Sequence, residues 1–303
     1  MKKVVILCGP TGVGKSALAV KLSEHLKCEI VNADSQQVWR GLDIGTGKPS
    51  PEIRRKISHH LFDVATPAET FDAARYLALA DSAIAEIIAR GKKVLVVGGT
   101  GMYLRMLMFG VCDAPGRDES LRAELEKRRE REGLASLYKE LQRVDPVSSG
   151  EIHENDRVRI IRALEVWQLT GVPLSEFHAQ HRFQEPRYDV LQIGLHLERE
   201  VLRTAIAARV AAMMQAGWLE EVRALLQKYP RECQALQAIG YKDLVEYVEQ
   251  GGDLPKTVEQ ITIRTQQFAK RQMTWFRADS QIHWFASDEE ESVAKRIEKF
   301  YEV

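Results

Sequence analysis

The amino-acid sequence predicts an α/β protein, a parallel sheet flanked by helices, with an all-helical insertion. Three observations carry this prediction. A continuous apolar run at residues 4–8 ends on a glycine-rich turn, as a strand buried on both faces of a parallel sheet does. Strand-like and helix-like stretches then alternate, the pattern of an α/β sheet. Near Pro115-Gly116 the character changes to long charged runs of helix formers.

Taken in order, Ala17, Leu18, Val20, Leu22 and Leu26 give the first helix its apolar face, and residues 29–31 form a short second strand. Residues 71–90 are alanine-rich and helical, ending at Gly91, a good C-cap. Residues 93–97 enter Gly98-Gly99 as another strand. Residues 120–143 read as helical, and a second helical pattern covers 156–170 before Gly171-Val172-Pro173. Residues 190–197 return to the sheet as a strand. The C-terminal third is mostly helical, with 281–285 as a last strand and 288–291 as an acidic surface run. The expected division is a core of 1–116 with 190–303, and an insertion of 117–189. No internal repeat or low-complexity linker is present.

Length and composition bound the possibilities. At 303 residues and 34.4 kDa, one large domain or two modest ones fit. The 45% hydrophobic and 28% charged fractions are globular values and argue against a disordered or fibrous chain. Cys8, Cys28, Cys112 and Cys233 lie far apart with no metal-ligand spacing, so reduced thiols and a cytoplasmic protein are expected. The N-terminal apolar run is too short for a signal peptide, and no stretch approaches the roughly 20 apolar residues of a membrane span. Forty-three Lys and Arg balance 43 Asp and Glu, so any polyanion site must be a local patch.

Gly9-Pro10-Thr11-Gly12-Val13-Gly14-Lys15-Ser16 follows the first strand and opens the first helix. It matches G-x-x-x-x-G-K-[ST] in the context that pattern requires. Its glycines let backbone N–H groups converge on phosphate oxygens, the helix N-terminus adds positive potential, and Lys15 adds a point charge. The Ser16 hydroxyl is the expected Mg2+ contact. The loop makes the sheet P-loop NTPase-like and identifies phosphate or pyrophosphate as ligand, without specifying ATP.

After the second strand comes Asn32-Ala33-Asp34-Ser35-Gln36-Gln37-Val38-Trp39. A carboxylate at a strand's C-terminal end lies where open α/β sheets bind ligands, so Asp34 is a base, a Mg2+ ligand, or a cap or turn residue. His59-His60 serves the site or forms a packed pair.

Several segments in register resemble the tRNA dimethylallyltransferase family over nearly the whole chain. They are GPTGVGKS, NADSQQVWRGLDIGTGKP, His59-His60-Leu61 and GGTGMYL, followed by IHEND, RALEV, QAIGYK and AKRQMTWFR. The resemblance implies transfer of a dimethylallyl group from dimethylallyl diphosphate to N6 of the adenosine immediately 3′ of the anticodon in tRNA. It assigns the diphosphate to the P-loop, the adenine amine to Asp34, and places Thr100 and Arg122 along the substrate passage. Asp34, Ser35, Gln36 and Gln37, with Val158, Arg159, Ile160, Ile161 and Arg162, correspond to segments that touch tRNA in the family. Gln237, Gly240, Lys242, Lys270 and Arg271, from the later motifs, join that set. The expected partners are the tRNA anticodon stem-loop and dimethylallyl diphosphate, the cofactor is Mg2+, and the chain is a monomer. Trp39, Gly47 and Ser148-Ser149 depart from the family pattern, where Tyr, Ala and Ala are expected; they put fine packing in question and leave the chemistry.

An adenine amine is a poor nucleophile, so a carboxylate that accepts its proton as the C–N bond forms suits the reaction. Oriented amides, Lys15 and Mg2+ suit the charge that develops on the departing diphosphate. Thr100, at a strand end, could donate to the bridging oxygen. A dry apolar tunnel is expected, with walls the sequence does not name. The base must leave the anticodon-loop stack, so phosphates and splayed bases carry recognition. Residues 117–162 hold 11 basic and 11 acidic residues, whereas 256–279 hold 5 basic against 2 acidic. Arg264 and Arg271, seven apart, fall on one helix face, and Trp275 and Phe276 are expected in the core. A small-molecule or nucleotide kinase would share the loop and an acid after the second strand. A non-catalytic RNA-binding or nucleotide-switch protein lacks support, because no N-K-x-D signature occurs.

Overall fold

The computed structural model describes residues 1–183 and 185–302. The elements run β1 (Lys3–Cys8), α1 (Lys15–Leu26), β2 (Cys28–Asn32), α2 (Pro51–Lys56), β3 (His59–His60), α3 (Ala73–Ala89), β4 (Lys93–Gly98) and α4 (Gly101–Phe109). Five helices come next: α5 (Glu119–Glu132), α6 (Leu134–Val144), α7 (Pro146–Glu151), α8 (Arg157–Thr170) and α9 (Leu174–His181). The chain then forms β5 (Asp189–His196), α10 (Arg199–Gln215), α11 (Trp218–Leu226), α12 (Tyr241–Gln250), α13 (Leu254–Arg277), β6 (His283–Ala286) and α14 (Glu290–Glu302). Two compact units result, Met1–Met108 with Arg187–Val303, and Phe109–Pro186.

In the first unit six parallel strands lie in the order β3-β2-β4-β1-β5-β6. The apolar run read at the N-terminus is the central strand β1, flanked by β4 and β5 through Cys8↔Gly98 and Cys8↔Gly194. Its alternate residues Val5 and Leu7 join Leu95, Val97, Ile193 and Leu195 in a core shared with α1 and α14. Val4, Ile6, Val94 and Val96 are equally buried and point to the opposite face, as strand alternation requires. Burial on both faces explains the unbroken apolar run. Because β2, β4 and β1 are adjacent and parallel, the segments carrying Asp34, Thr100 and the glycine-rich loop leave the same edge of the sheet.

In the second unit, Leu125, Leu137, Leu141, Ile160, Leu164 and Leu174 pack among α5, α6, α8 and α9. The helix expected over 120–143 is two helices, because Gly133 at φ +81° ends α5 and starts α6. The unit also starts and ends earlier than 117–189. Ala114 packs on its core and Arg162 donates to the carbonyls of Pro115 and Gly116, which draws that stretch in. Arg187 and Tyr188 both hydrogen-bond Asp81, which ties them to the first unit. Among the described residues no helix is long and apolar enough to cross a membrane.

Candidate active site

A cavity of about 730 Å³ opens at the C-terminal ends of β1, β2 and β4. One side is the glycine-rich loop, where Thr11, Gly12, Gly14, Lys15 and Ser16 face the space. No side chain caps α1, so its first amides remain available to an anion. Gly9 and Pro10 are buried behind the loop, and Lys15 Nζ donates to their carbonyls at 2.9 and 2.8 Å. The Val13 side chain belongs to the core, leaving only its backbone for the loop. Burial pushes the Lys15 ammonium down to about 8, against the opposing pull of Asp34.

The facing side is built at the ends of β2 and β4. Asp34 Oδ1 accepts the Gln36 N–H at 2.8 Å, and the Asn32 side chain brackets Asp34 by accepting its N–H and donating to its carbonyl. Thr100 Oγ1 accepts the Ser35 N–H at 3.0 Å, so its own hydrogen is free to turn into the cavity. Asp34 is therefore a turn residue, one of the roles its place after a strand allows, and also a cavity carboxylate. Gln37 is buried and donates to the carbonyls of Thr46 and Gly47, which staples that loop to β2.

Apolar walls complete the cavity, including Val210, Met213, Trp218, Ile239 and Phe268. Trp218 is wedged between two glycines: an ideal Cβ would lie 2.0 Å from the indole at Gly45 and 2.1 Å at Gly240. Glu221 holds this region by accepting the N–H groups of Asp43, Ile44 and Gly45 and the Tyr241 hydroxyl. His59 also lines the cavity. Burial holds it below the usual histidine range while its Nδ1 bonds the Ile57 carbonyl. His60 turns away to Glu29.

Two cavity residues had no assignment from sequence. Arg209, from α10, is partly buried, donates to the Thr46 carbonyl and interacts electrostatically with Asp34. Burial works against its charge, yet a guanidinium stays protonated, so the cavity holds a second fixed cation beside Lys15. Its only sequence signal is an arginine in an otherwise apolar, alanine-rich helix face. Gln272, from α13, touches both the glycine-rich loop and the turn after β4. It sits inside a motif whose lysine, arginine and aromatic residues are the more conspicuous signal.

The residues expected at tRNA divide into groups. Gln237 and Arg271 line the cavity, and Lys242 and Lys270 are exposed. Gly240 is buried against Trp218, with φ +86°, and serves a turn. In the second unit Val158 and Arg159 are exposed, Arg159 pairing with Asp156 at 2.6 Å. The Ile160 and Ile161 side chains fill that unit's core. Arg122 and Arg162 both grip the buried Glu165, at 2.8 and 2.7 Å. Trp275, expected in the core, is 48% exposed, while Phe276 is buried as expected. Arg264 is paired with Asp243.

A parallel sheet with its glycine-rich loop after β1, a hydroxyl after β4 and a carboxylate after β2 defines a P-loop α/β protein. The profile of the IPP transferase family matches residues 37–279. A tRNA dimethylallyltransferase of Geobacter metallireducens is 49% identical over 283 residues, 93% of this chain and 92% of that one. One from Gloeobacter violaceus is 47% identical over 285 residues, covering 94% and 92%. The crystal structure of the full-length tRNA isopentenylpyrophosphate transferase from Bacillus halodurans superimposes with a TM-score of 0.75 at 35% identity, covering 100% of this chain and 97% of the other. The chain belongs to the IPP transferase family of tRNA dimethylallyltransferases.

Proposed function

We propose that the chain transfers a dimethylallyl group from dimethylallyl diphosphate to N6 of the adenosine at position 37 of tRNA, immediately 3′ of the anticodon. The products are N6-isopentenyladenosine and diphosphate. The observation that carries this is a single cavity with cationic phosphate donors on one side, a carboxylate and hydroxyl on the other, and an apolar wall between them. Relatives bearing the name tRNA dimethylallyltransferase support it. So does a eukaryotic dimethylallyltransferase acting on tRNA, superimposed with a TM-score of 0.79 at 28% identity over 95% of this chain and 75% of that one.

In this reading the diphosphate lies on the α1 amides, with Lys15 and Arg209 stabilising the charge it acquires as the allylic C–O bond breaks. The N6 lone pair forms the new C–N bond, and Asp34 accepts the N6 proton. The Thr100 hydroxyl donates to the bridging oxygen, which leaves with the bonding electrons. Val210, Met213, Trp218 and Ile239 shield the allylic carbon from water, which would otherwise give the alcohol. Among the described residues no three His, Cys, Asp or Glu side chains cluster to hold a metal. The Ser16 hydroxyl, exposed at the start of α1 and lining the cavity, fits an ion carried in on the diphosphate: it would hold Mg2+, which would supply further neutralisation of the leaving group. Exposed Lys242, Lys270, Arg271, Val158 and Arg159 are the proposed tRNA contacts, with Asp34 to Gln37 and Gln237 reading the extruded base.

Labelled dimethylallyl diphosphate, Mg2+ and unmodified tRNA, followed by nucleoside analysis, test the reading, with ATP as the alternative donor. Label on adenosine 37 is expected. Consumption of ATP alone, with a phosphorylated product, would establish a kinase instead.

A further inference from the structure

Gln272 lies on α13, 261 residues from Thr11 in sequence, yet its carboxamide sits between two strand-end turns. Oε1 accepts the Thr11 N–H at 2.8 Å, and Nε2 donates to the Gly99 carbonyl at 2.8 Å. Gln272 is 7% exposed; its bond to Gly99 is buried and its bond to Thr11 is partly buried at the cavity wall. The orientation is dictated by its partners, because an N–H needs an acceptor and a carbonyl needs a donor. Gly99 is adapted to this insertion: an ideal Cβ there would lie 2.4 Å from Gln272 Nε2.

The bonds continue on both sides. Thr100, next to Gly99, donates its N–H to the Ala33 carbonyl and accepts the Ser35 N–H through Oγ1. Asp34 lies between those two residues. A chain of hydrogen bonds thus links the phosphate loop to Gln272, Gly99-Thr100 and the Asp34 turn. Its remaining members come from the ends of β1, β4 and β2, whereas Gln272 reaches in from a helix whose exposed residues include Lys270 and Arg271.

We infer that Gln272 is a positioning residue, bracing the diphosphate cradle against the turn that carries Thr100 and so setting the distance between donor and acceptor halves of the site. This rests on the transferase reading for its kinetic readout. It touches neither reacting atom. A brace of this kind acts on alignment, where displacements of about 1 Å cost on the order of 100-fold in rate.

The test uses the full chain as wild type, Gln272→Met and Gly99→Ala, with prenylation of a tRNA anticodon stem-loop, Mg2+-pyrophosphate binding and thermal melting measured on each. Methionine keeps the volume and loses both bonds. Alanine at 99 leaves Gln272 in the sequence and drives its amide out of place; the Gly99 backbone is outside the left-handed region, so the methyl is conformationally permitted. Expected for both variants are a kcat lower by on the order of 100-fold and pyrophosphate binding weaker by about tenfold, with KM for RNA changed by less than about threefold. The double variant should be no worse than about twofold below Gln272→Met, because both changes cut one brace.

Unchanged kcat in a folded Gln272→Met protein overturns the inference, as does a loss confined to the melting temperature. If Gln272→Met does not fold, Gly99→Ala decides by the same criteria. A wild type that binds pyrophosphate but does not prenylate RNA sinks the transferase reading; the brace then stands or falls on whether the variants lose pyrophosphate affinity.

Discussion

Lys15 and Asp34 carry opposite charges on opposite sides of one cavity, and each has a separable consequence. Asp34→Asn preserves the bond that the Gln36 N–H makes and removes the proton acceptor. Its kcat should fall by about 10²- to 10⁴-fold, with RNA binding unchanged within about threefold; near-normal kcat would exclude Asp34 as the base. Lys15 has a pH signature. Burial lowers it to about 8, so the cation that attracts diphosphate is present below that pH and lost as pH rises through it. The value of kcat/KM for the donor should decline above about pH 8, since that ratio reports the free enzyme. Bound diphosphate raises the lysine again, so kcat itself should hold to higher pH. A donor profile flat to about pH 10 would show that Lys15 stays charged unaided. At this scale the sequence was legible where function follows spacing: eight consecutive residues make the phosphate loop, and Asp34 follows a strand. Gln272 and Arg209 were not assigned, because they enter from helices far along the chain and their local signals, an arginine on an apolar face and a glutamine inside a basic, aromatic motif, do not say what they reach.

Helices follow the same logic one level up. Apolar runs and the 3.6-residue period located β1, β2, β4, β5, β6 and α3 within a residue or two, whereas the two-residue β3 at His59–His60 was too short to leave a pattern. The charged run at 120–143 hid its break, since α5 buries only Leu125 and offers no apolar stripe whose phase would shift at Gly133. The balanced charge of that insertion, evident in its composition, has an internal use in the structure. Glu165 is 0% exposed and accepts from Arg122 Nε and Nη2, Arg162 Nη1 and the Asp118 N–H. Burial would raise its pKa, yet these bonds outweigh burial and hold the carboxyl below the usual range. A depressed folded-state pKa means that the stabilisation is present above the unfolded value and is lost as pH falls through the folded one. Glu165→Ala should destabilise this unit by about 2–3 kcal/mol, under the 3–5 typical of fully buried pairs because both arginines are partly exposed. Hydrogen exchange over residues 118–165 checks it. Protection equal to wild type at neutral pH would mean that the apolar core alone holds α5 to α8.

For the molecule as a whole, 43 basic residues against 43 acidic ones leave little free positive charge for RNA. Ion pairing narrows it further. Arg264 is spent on Asp243, Arg128 on Glu140, Arg129 on Glu126, and Arg122 and Arg162 on Glu165. In the first unit Lys242, Lys270, Arg271 and Arg277 are exposed and make no ion pair among the described residues. The exposed Trp275, seated on Gly101, offers these cations an aromatic neighbour whose contribution to RNA binding would not depend on salt. Neutralising on the order of five phosphates gives a slope of about −3.5 to −4.5 for log affinity against log salt. Charge-neutral replacement of Lys270 should reduce that slope by about one and weaken all tRNAs alike, as a phosphate contact does. Titration of the anticodon stem-loop at several salt concentrations measures both. A slope steeper than about −8 would require on the order of nine neutralised phosphates, about twice what Lys242, Lys270, Arg271, Arg277 and Arg159 can supply, and would overturn this contact set.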